Sequence, residues 1–500
     1  MLPGSMQHLR LLVILVVVSA LGGVAFAKGG KEPDPIEVQF DVQYGSSDPP
    51  SRAKAIDTLK GAPDPLKFSV LSTRVIGREK RADVVAHVVD VLQSIKDETT
   101  ATSVAVAAKT ASPEARMVYV EALGGLAGSA AAHQMLLELV KDKDTYVRGM
   151  AAAGLGEHRA MDAYEPLLAL LDDKAWLVQA AALASLPRLI DRAAVKRSIP
   201  KLIDFLENVS GRMRVDASEA LRRITGKNFG RDAAAWRKWY DAGMIDTVKP
   251  EGGDDKPAEP KGAYGNTDDK PHFYGIEVLS NRVVLILDVS LTMYDALDID
   301  KDRLRRETSR RKVVTGEKPG DKPGGKDGAP AEEDLGYDIP WWKVKTRLDL
   351  AKYQTINLIS QLREDQSFEI ITFSKEVTPW MGKIVPATTA NKQKAIAMLD
   401  TIKPEDATNM WGAIAAAFDM VDVNKKGETF GPDEMYLVTD GCPSSVGDIL
   451  DSDQILEATL QIHKVKPLRI NVIGIGLDRS YLRKMARDTG GQSKFFTPSK

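Results

Sequence analysis

Residues 283–295 read VVLILDVSLTMYD. Five apolar residues run straight into Asp288, and two hydroxyls, Ser290 and Thr292, follow at alternate positions. An unbroken apolar run of this length, bounded by polar residues, has the pattern of a strand buried on both faces. A buried strand that ends in a carboxylate and two hydroxyls needs partners for them, and nothing adjacent in sequence supplies any.

Working outward, the chain from Phe273 to its end alternates strand and helix patterns. RLDLAKYQTINLISQL carries Leu348, Ala351, Thr355, Leu358 and Leu362 on one helical face, and SFEIITFS follows as a strand. NKQKAIAMLDTI and NMWGAIAAAFDMV are helical, EMYLVTD and RINVIGIG are strands, and SYLRKMARDTG is a late helix with a glycine stop. Strands apolar on both faces that alternate with helices predict a doubly wound parallel sheet covered on both sides. In such sheets ligands bind beyond the carboxyl ends of the strands.

Three polar clusters fall where that rule points: Asp288, Ser290 and Thr292 after the first strand, Thr408 in DATNMWGAI at a helix entry, and Asp440 in YLVTDG after a later strand. Two carboxylates and three hydroxyls make an all-oxygen set. It suits a hard divalent cation that retains waters, Mg²⁺ first, with Mn²⁺ and Ca²⁺ as alternatives, and not zinc. DVSLT, DATN and VTDG, in this order and context, resemble the metal-ion-dependent adhesion site (MIDAS) of the von Willebrand factor A (VWA) family. The resemblance covers about residues 280–497 and implies a Rossmann-like α/β fold. It also implies that Ser290, Thr292 and Thr408 are hydroxyl ligands, that Asp288 and Asp440 act largely through water, and that a protein partner presents an acidic residue to the metal. Thr292 stands where the family usually has serine, and Asp406-Ala407 stand where it often has Gly-Gly.

The family reaches its next helix within about a dozen residues; here an insertion at about 296–340 intervenes. A basic cluster (Arg303, Arg305, Arg306, Arg310, Arg311, Lys312) opens it and an acidic stretch closes it. The composition predicts a solvated, disordered loop, with a basic arm for an acidic partner as the sharper reading. IPWWKVK then re-enters the fold with Trp341 and Trp342, expected to pack, with one of them an alternative exposed anchor. Cys442, two residues past Asp440, is expected to be a small filler.

The chain from about 51 to 245 is rich in Ala and Leu, and it repeats. VYVEALGGLAG, VRGMAAAGLGE, VQAAALASLPR and MRVDASEALRR each place an apolar residue eight positions before a leucine: Leu126, Leu155, Leu186 and Leu221. Offsets of roughly 30 to 35 residues mark a stack of helical units, none able to bury its apolar face alone. Small residues between the large ones let helices approach closely, and Asp in KDKDTY and LDDKAW can cap the helices that follow. The pattern resembles the HEAT-type repeat family, an all-α solenoid with a second docking surface. Trp236 and Trp239 are expected to close its open end. Residues 28–50 read as a flexible leader, with one extended piece around Ile36 to Phe40, and 246–272 as a Pro/Gly-rich linker.

Residues 1–27 read as an export signal, with LLVILVVVSALGGVAF as its apolar core and cleavage after Ala27. The core is slightly long, so an uncleaved anchor is the alternative. The 500 residues hold one cysteine and carry a formal net charge of −2. Stability must therefore come from packing, and no basic field draws the chain to nucleic acid. His-Glu-x-x-His, a phosphate-binding glycine loop and a defensible Ser/His/Asp arrangement are all absent. The sequence reading is an exported, non-enzymatic adhesion protein, periplasmic, cell-surface or secreted, that binds a protein ligand through the metal. The alternatives are an envelope scaffold whose repeats do the recognising and a chelatase-type subunit.

Overall fold

The computed structural model describes residues 34–189, 192–243, 271–308, 339–441, 443 and 446–498. The expected signal, nearly all of the linker, most of the insertion and Cys442 lie outside the described residues.

Helices fill the first half, from Pro35 to Asp241. The leader read as flexible is helical over Pro35–Tyr44, and Pro49–Thr58 follows as a second helix. The residues read as breakers are helix starters: Asp34 and Asp48 accept hydrogen bonds from Ile36 N and Ser51 N, with proline in the first turn. Phe40, expected on an extended piece, is fully buried and stacks on Tyr44 with ring centroids 5.1 Å apart.

One helix of each repeat forms a continuous layer: α1 (Ala82–Gln93), α2 (Pro113–Gly125), α3 (Thr145–His158), α4 (Trp176–Ser185) and α5 (Gly211–Thr225). The repeat leucines 126, 155, 186 and 221 are buried. The small residues do bring backbones together: a Cβ on Gly124 would lie 3.1 Å from Gly154 Cα, so α2 and α3 touch through bare backbone. Asp144 caps α3 through Tyr146 N. Asp173 instead receives Ala175 N and a two-pronged contact from Arg148 of the preceding repeat, at 2.8 and 3.0 Å. Arg116 reaches Asp142 through a single contact at 2.6 Å, so charge pairs link successive turns. Trp236 and Trp239 meet edge-on beside Phe229 and close the last repeat.

The second half is built on a sheet with strands β1 (Arg282–Asp288), β2 (Ser367–Phe373), β3 (Glu434–Thr439), β4 (Arg469–Ile475) and β5 (Ser493–Phe496). Their spatial order is β5-β4-β3-β1-β2, all parallel. The sheet is mixed rather than purely parallel, because two short strands, Val377–Pro379 and Val385–Pro386, pair antiparallel with β2. Buried Glu369 holds that edge by accepting the backbone N–H groups of Met381 and Lys383. The helices α6 (Arg347–Gln361), α7 (Met410–Asp419), α8 (Ser452–Val465) and α9 (Ser480–Asp488) cover the two faces. Val283, Leu285 and Leu287 pack towards α6, while Val284 and Ile286 pack towards α7, α8 and α9.

That second face does not end at its helices. Its apolar core is continuous with the solenoid's, and α8 lies against α1. Arg212 on α5 donates to Asp433 O at 2.8 Å and to Pro467 O. Arg469 pairs with Asp216 at 2.6 Å, and Lys464 with Glu121 at 2.7 Å. Arg231 pairs with Glu277 at 2.9 Å. Trp176 of α4 lies beneath both Arg212 and Arg282, at 5.5 and 5.6 Å. The α1–α5 layer is thus not the free docking surface expected of the repeats: the chain's own α/β domain occupies it.

The insertion is ordered where it begins. Lys301–Thr308 is a helix with Leu304 fully buried, not the disordered loop its composition predicts. Arg303 pairs with Glu307, and Arg305 lies 5.5 Å above the Trp341 ring, so part of the expected basic arm is spent on packing. Trp342 is 74% exposed.

Candidate functional site

β1 and β3 are neighbours in the sheet, and the chain leaves them towards opposite edges, so their carboxyl ends form the switch point of the fold. Asp288 is the last residue of β1 and Asp440 directly follows β3. Both are buried. Asp288 Oδ1 accepts Ser290 N–H at 2.9 Å, and its Oδ2 accepts the Thr439 hydroxyl at 2.7 Å. Burial, and then the nearby charge of Asp440, raise the Asp288 carboxyl from its ordinary 3.8 to about 6.

Ser290 and Thr292 bring their hydroxyl oxygens to 3.1 Å from one another. Ser290 also pairs with Glu405 as a lone parallel bridge, and Glu405 N donates to Val289 O at 2.9 Å. This ties the loop carrying Thr408 to the end of β1. Ser374 at the end of β2 fastens the same loop twice, its hydroxyl on Glu405 at 2.7 Å and its carbonyl on Asn409 N at 2.7 Å. Thr408 itself is buried. Just before it, Ala407 has φ = 68°, a left-handed backbone that disfavours a Cβ. The departure from glycine seen in the sequence therefore carries strain at the site.

Arg347 escaped the sequence reading. Its Nη1 donates to Asp440 Oδ2 at 3.2 Å and to the Thr292 carbonyl at 3.2 Å. The other Asp440 oxygen, Oδ1, is buried with no hydrogen-bond partner among the described residues. One signal was present: Arg347 opens α6 behind the capping pair Thr346 and Asp349, and a cation in a helix's first turn opposes the helix dipole.

The donors gathered here are all oxygen, and a buried carboxylate oxygen without a partner among the described residues, at the switch point that also carries the Ser290 and Thr292 hydroxyls, fits a hard cation. No group of three or more His, Cys, Asp or Glu suited to a metal occurs among the described residues. Any cation here rests on hydroxyls and water more than on a cage of carboxylates.

Residues 100–187 match the family model for HEAT repeats, and residues 351–495 match that for the von Willebrand factor type A domain. The chain joins HEAT repeats to a VWA domain. The VWA match takes in Thr408 and Asp440 but begins beyond Asp288, on the far side of the insertion. Among curated proteins, inter-alpha-trypsin inhibitor heavy chain 4 of Mus musculus is 27% identical over 144 residues, covering 28% of this chain and 15% of the relative. Heavy chain H4 of Bos taurus is 29% identical over 150 residues, with the same coverage. The chain thus spans about 15% of the length of these relatives. Two solved structures are similar at 16% identity. One, a von Willebrand factor type A protein from Catenulispora acidiphila, has a TM-score of 0.28 and covers 47% of each chain. The other, an aerotolerance-related membrane protein from Bacteroides fragilis, has a TM-score of 0.26 and covers 44% of this chain and 91% of its own.

Proposed function

We propose that the chain is an exported, non-enzymatic protein-binding protein whose VWA domain engages its partner through a divalent cation, Mg²⁺ first. Ser290, Thr292 and Thr408 supply hydroxyl ligands, and Asp288 and Asp440 orient bound water. An acidic side chain of the partner completes the shell. The observation that carries this reading is the buried Oδ1 of Asp440, without a hydrogen-bond partner among the described residues, at the switch point where Ser290 and Thr292 pair their hydroxyls. The match of residues 351–495 to the VWA domain supports a role in protein interaction. The apolar first 27 residues support an envelope location, and no helix among the described residues is long and apolar enough to cross a membrane. Any second docking surface on the repeats lies on the layer opposite α1–α5.

The test is a calorimetric titration of the full chain with MgCl₂, followed by capture from envelope extract. Uptake that disappears in S290A and D440A, with capture lost on EDTA treatment, is the expected result. A wild-type chain that takes up no divalent cation ends the reading.

A further inference from the structure

The Arg347 contacts carry an inference that rests on the cation-site reading above and goes beyond it. We infer that Arg347 is a resident counter-cation. It holds Asp440 when the metal is out and lowers the site's own affinity for a divalent ion, so that full occupancy waits on the partner's carboxylate.

Three observations converge. First, one guanidinium nitrogen bridges two of the loops that the metal would use, at 3.2 Å from Asp440 Oδ2 and 3.2 Å from the Thr292 carbonyl. Second, the place for that guanidinium is built. Gly476, just after β4, has φ = 95°, and a Cβ there would lie 2.8 Å from both Cζ and Nε of Arg347. Any other residue would push the side chain aside. Third, the Arg347 backbone is laced to the first metal loop. Arg347 N donates to Asp295 O, Leu297 N donates to Lys345 O, and Ala296 bridges Thr346. The metal loop and the arginine therefore move together, and Asp295 adds a 3.4 Å ion pair from the solvent side.

The charges decide what this arrangement does. Asp288 and Asp440 without Arg347 would offer a divalent ion two negative charges. With Arg347 they offer one. Counting the buried carboxylates, a bound dication leaves one net positive charge, which weakens the ion's hold and favours an incoming carboxylate; Asp295 is 61% exposed, so water screens its offsetting charge. The arginine thereby converts a metal site of ordinary strength into one whose metal and acidic ligand arrive together.

The test uses the full chain and titrates MgCl₂ and MnCl₂ into wild type, R347M and R347K by calorimetry, with thermal melting in EDTA alongside. R347M should bind Mg²⁺ at least ten-fold more tightly than wild type, while R347K, which keeps the charge, should stay near it. R347M should melt lower than wild type in EDTA and recover when Mg²⁺ is added, because the metal then replaces the missing cation. An R347M that folds only with Mg²⁺ supports the inference for the same reason. Equal or weaker Mg²⁺ binding by folded R347M overturns it, as does a variant that stays unfolded with and without the metal. Equal uptake by both proteins removes this inference alone. Uptake by neither removes the cation-site reading and the inference together.

Discussion

Asp216 is where the docking of the two domains is most exposed to a single change. It accepts Arg469 at 2.6 Å from the VWA domain and Arg212 at 3.1 Å from its own helix. All three side chains are largely buried. Substituting D216A leaves two guanidinium groups in the interface without their carboxylate. Removing one partner of a buried ion pair costs about 3–5 kcal/mol, most of it from the stranded charge. Arg212 keeps two backbone carbonyls, so the lower end applies, about 3 kcal/mol. The burden falls on docking, because the pair joins α5 of the solenoid to the start of β4 in the VWA domain.

Differential scanning calorimetry on D216A should therefore separate one unfolding transition into two. The VWA transition should drop by roughly 6–12 °C if that domain responds like others of about 220 residues. The double variant D216L/R469M, which removes the cross-domain pair and leaves Arg212 on its two backbone carbonyls, should restore part of the loss. A D216A chain that melts as wild type does, in one transition within about 1 °C, would refute the view that this pair holds the domains together.

The site gives further expectations. Asp288 ionises at about 6 in the folded chain, above its ordinary 3.8, so its charge opposes folding above that pH and the penalty fades as the pH falls towards 4. In EDTA at pH 8, D288N should be more stable than wild type by about 2 kcal/mol: about 3 from the relieved charge, less about 1 for the disturbed Thr439 bond. The gain should vanish near pH 4, and D288N should take up no Mg²⁺; urea titrations at the two pH values check the sign. A407G removes a Cβ from a left-handed backbone and should stabilise the chain by about 1 kcal/mol, read as a rise in melting temperature. His87 lies 3.5 Å from Glu457 of the VWA domain and 2.9 Å from Asp57. The Glu457 contact, helped by Asp57 and opposed by burial, raises its pKa from 6.5 to about 9. Its contribution to docking is complete below pH 6.5 and lost as the pH rises through about 9, so H87Q should flatten the pH dependence of the VWA transition across that window.

How much of this was legible follows from where each signal lives. The strand ends were legible because periodicity breaks there: an apolar run that stops at Asp288, or at Thr439 and Asp440, announces a polar loop whatever the rest of the chain does. The repeat leucines and the glycines of α2 and α3 were legible for a like reason, since close packing imposes its spacing on the sequence. Docking left no such trace. Glu121, His87, Arg212 and Asp216 read as the solvated face of an amphipathic helix, and a charge that meets another domain looks the same in sequence as one that meets water. Asp34-Pro35 and Asp48-Pro49 misled for a different reason, because the residues that end one helix are those that begin the next, and only the neighbouring Phe40 packing decides between them. Arg347 combines both difficulties. It is separated from Asp288 by the insertion, and it sits among four other basic residues, Lys343, Lys345, Lys352 and Arg363. Only its position tells it apart, a positive charge in the first turn of a helix, where the dipole disfavours it. A charge placed against its local preference is a charge held by something distant, and here the distant group is Asp440.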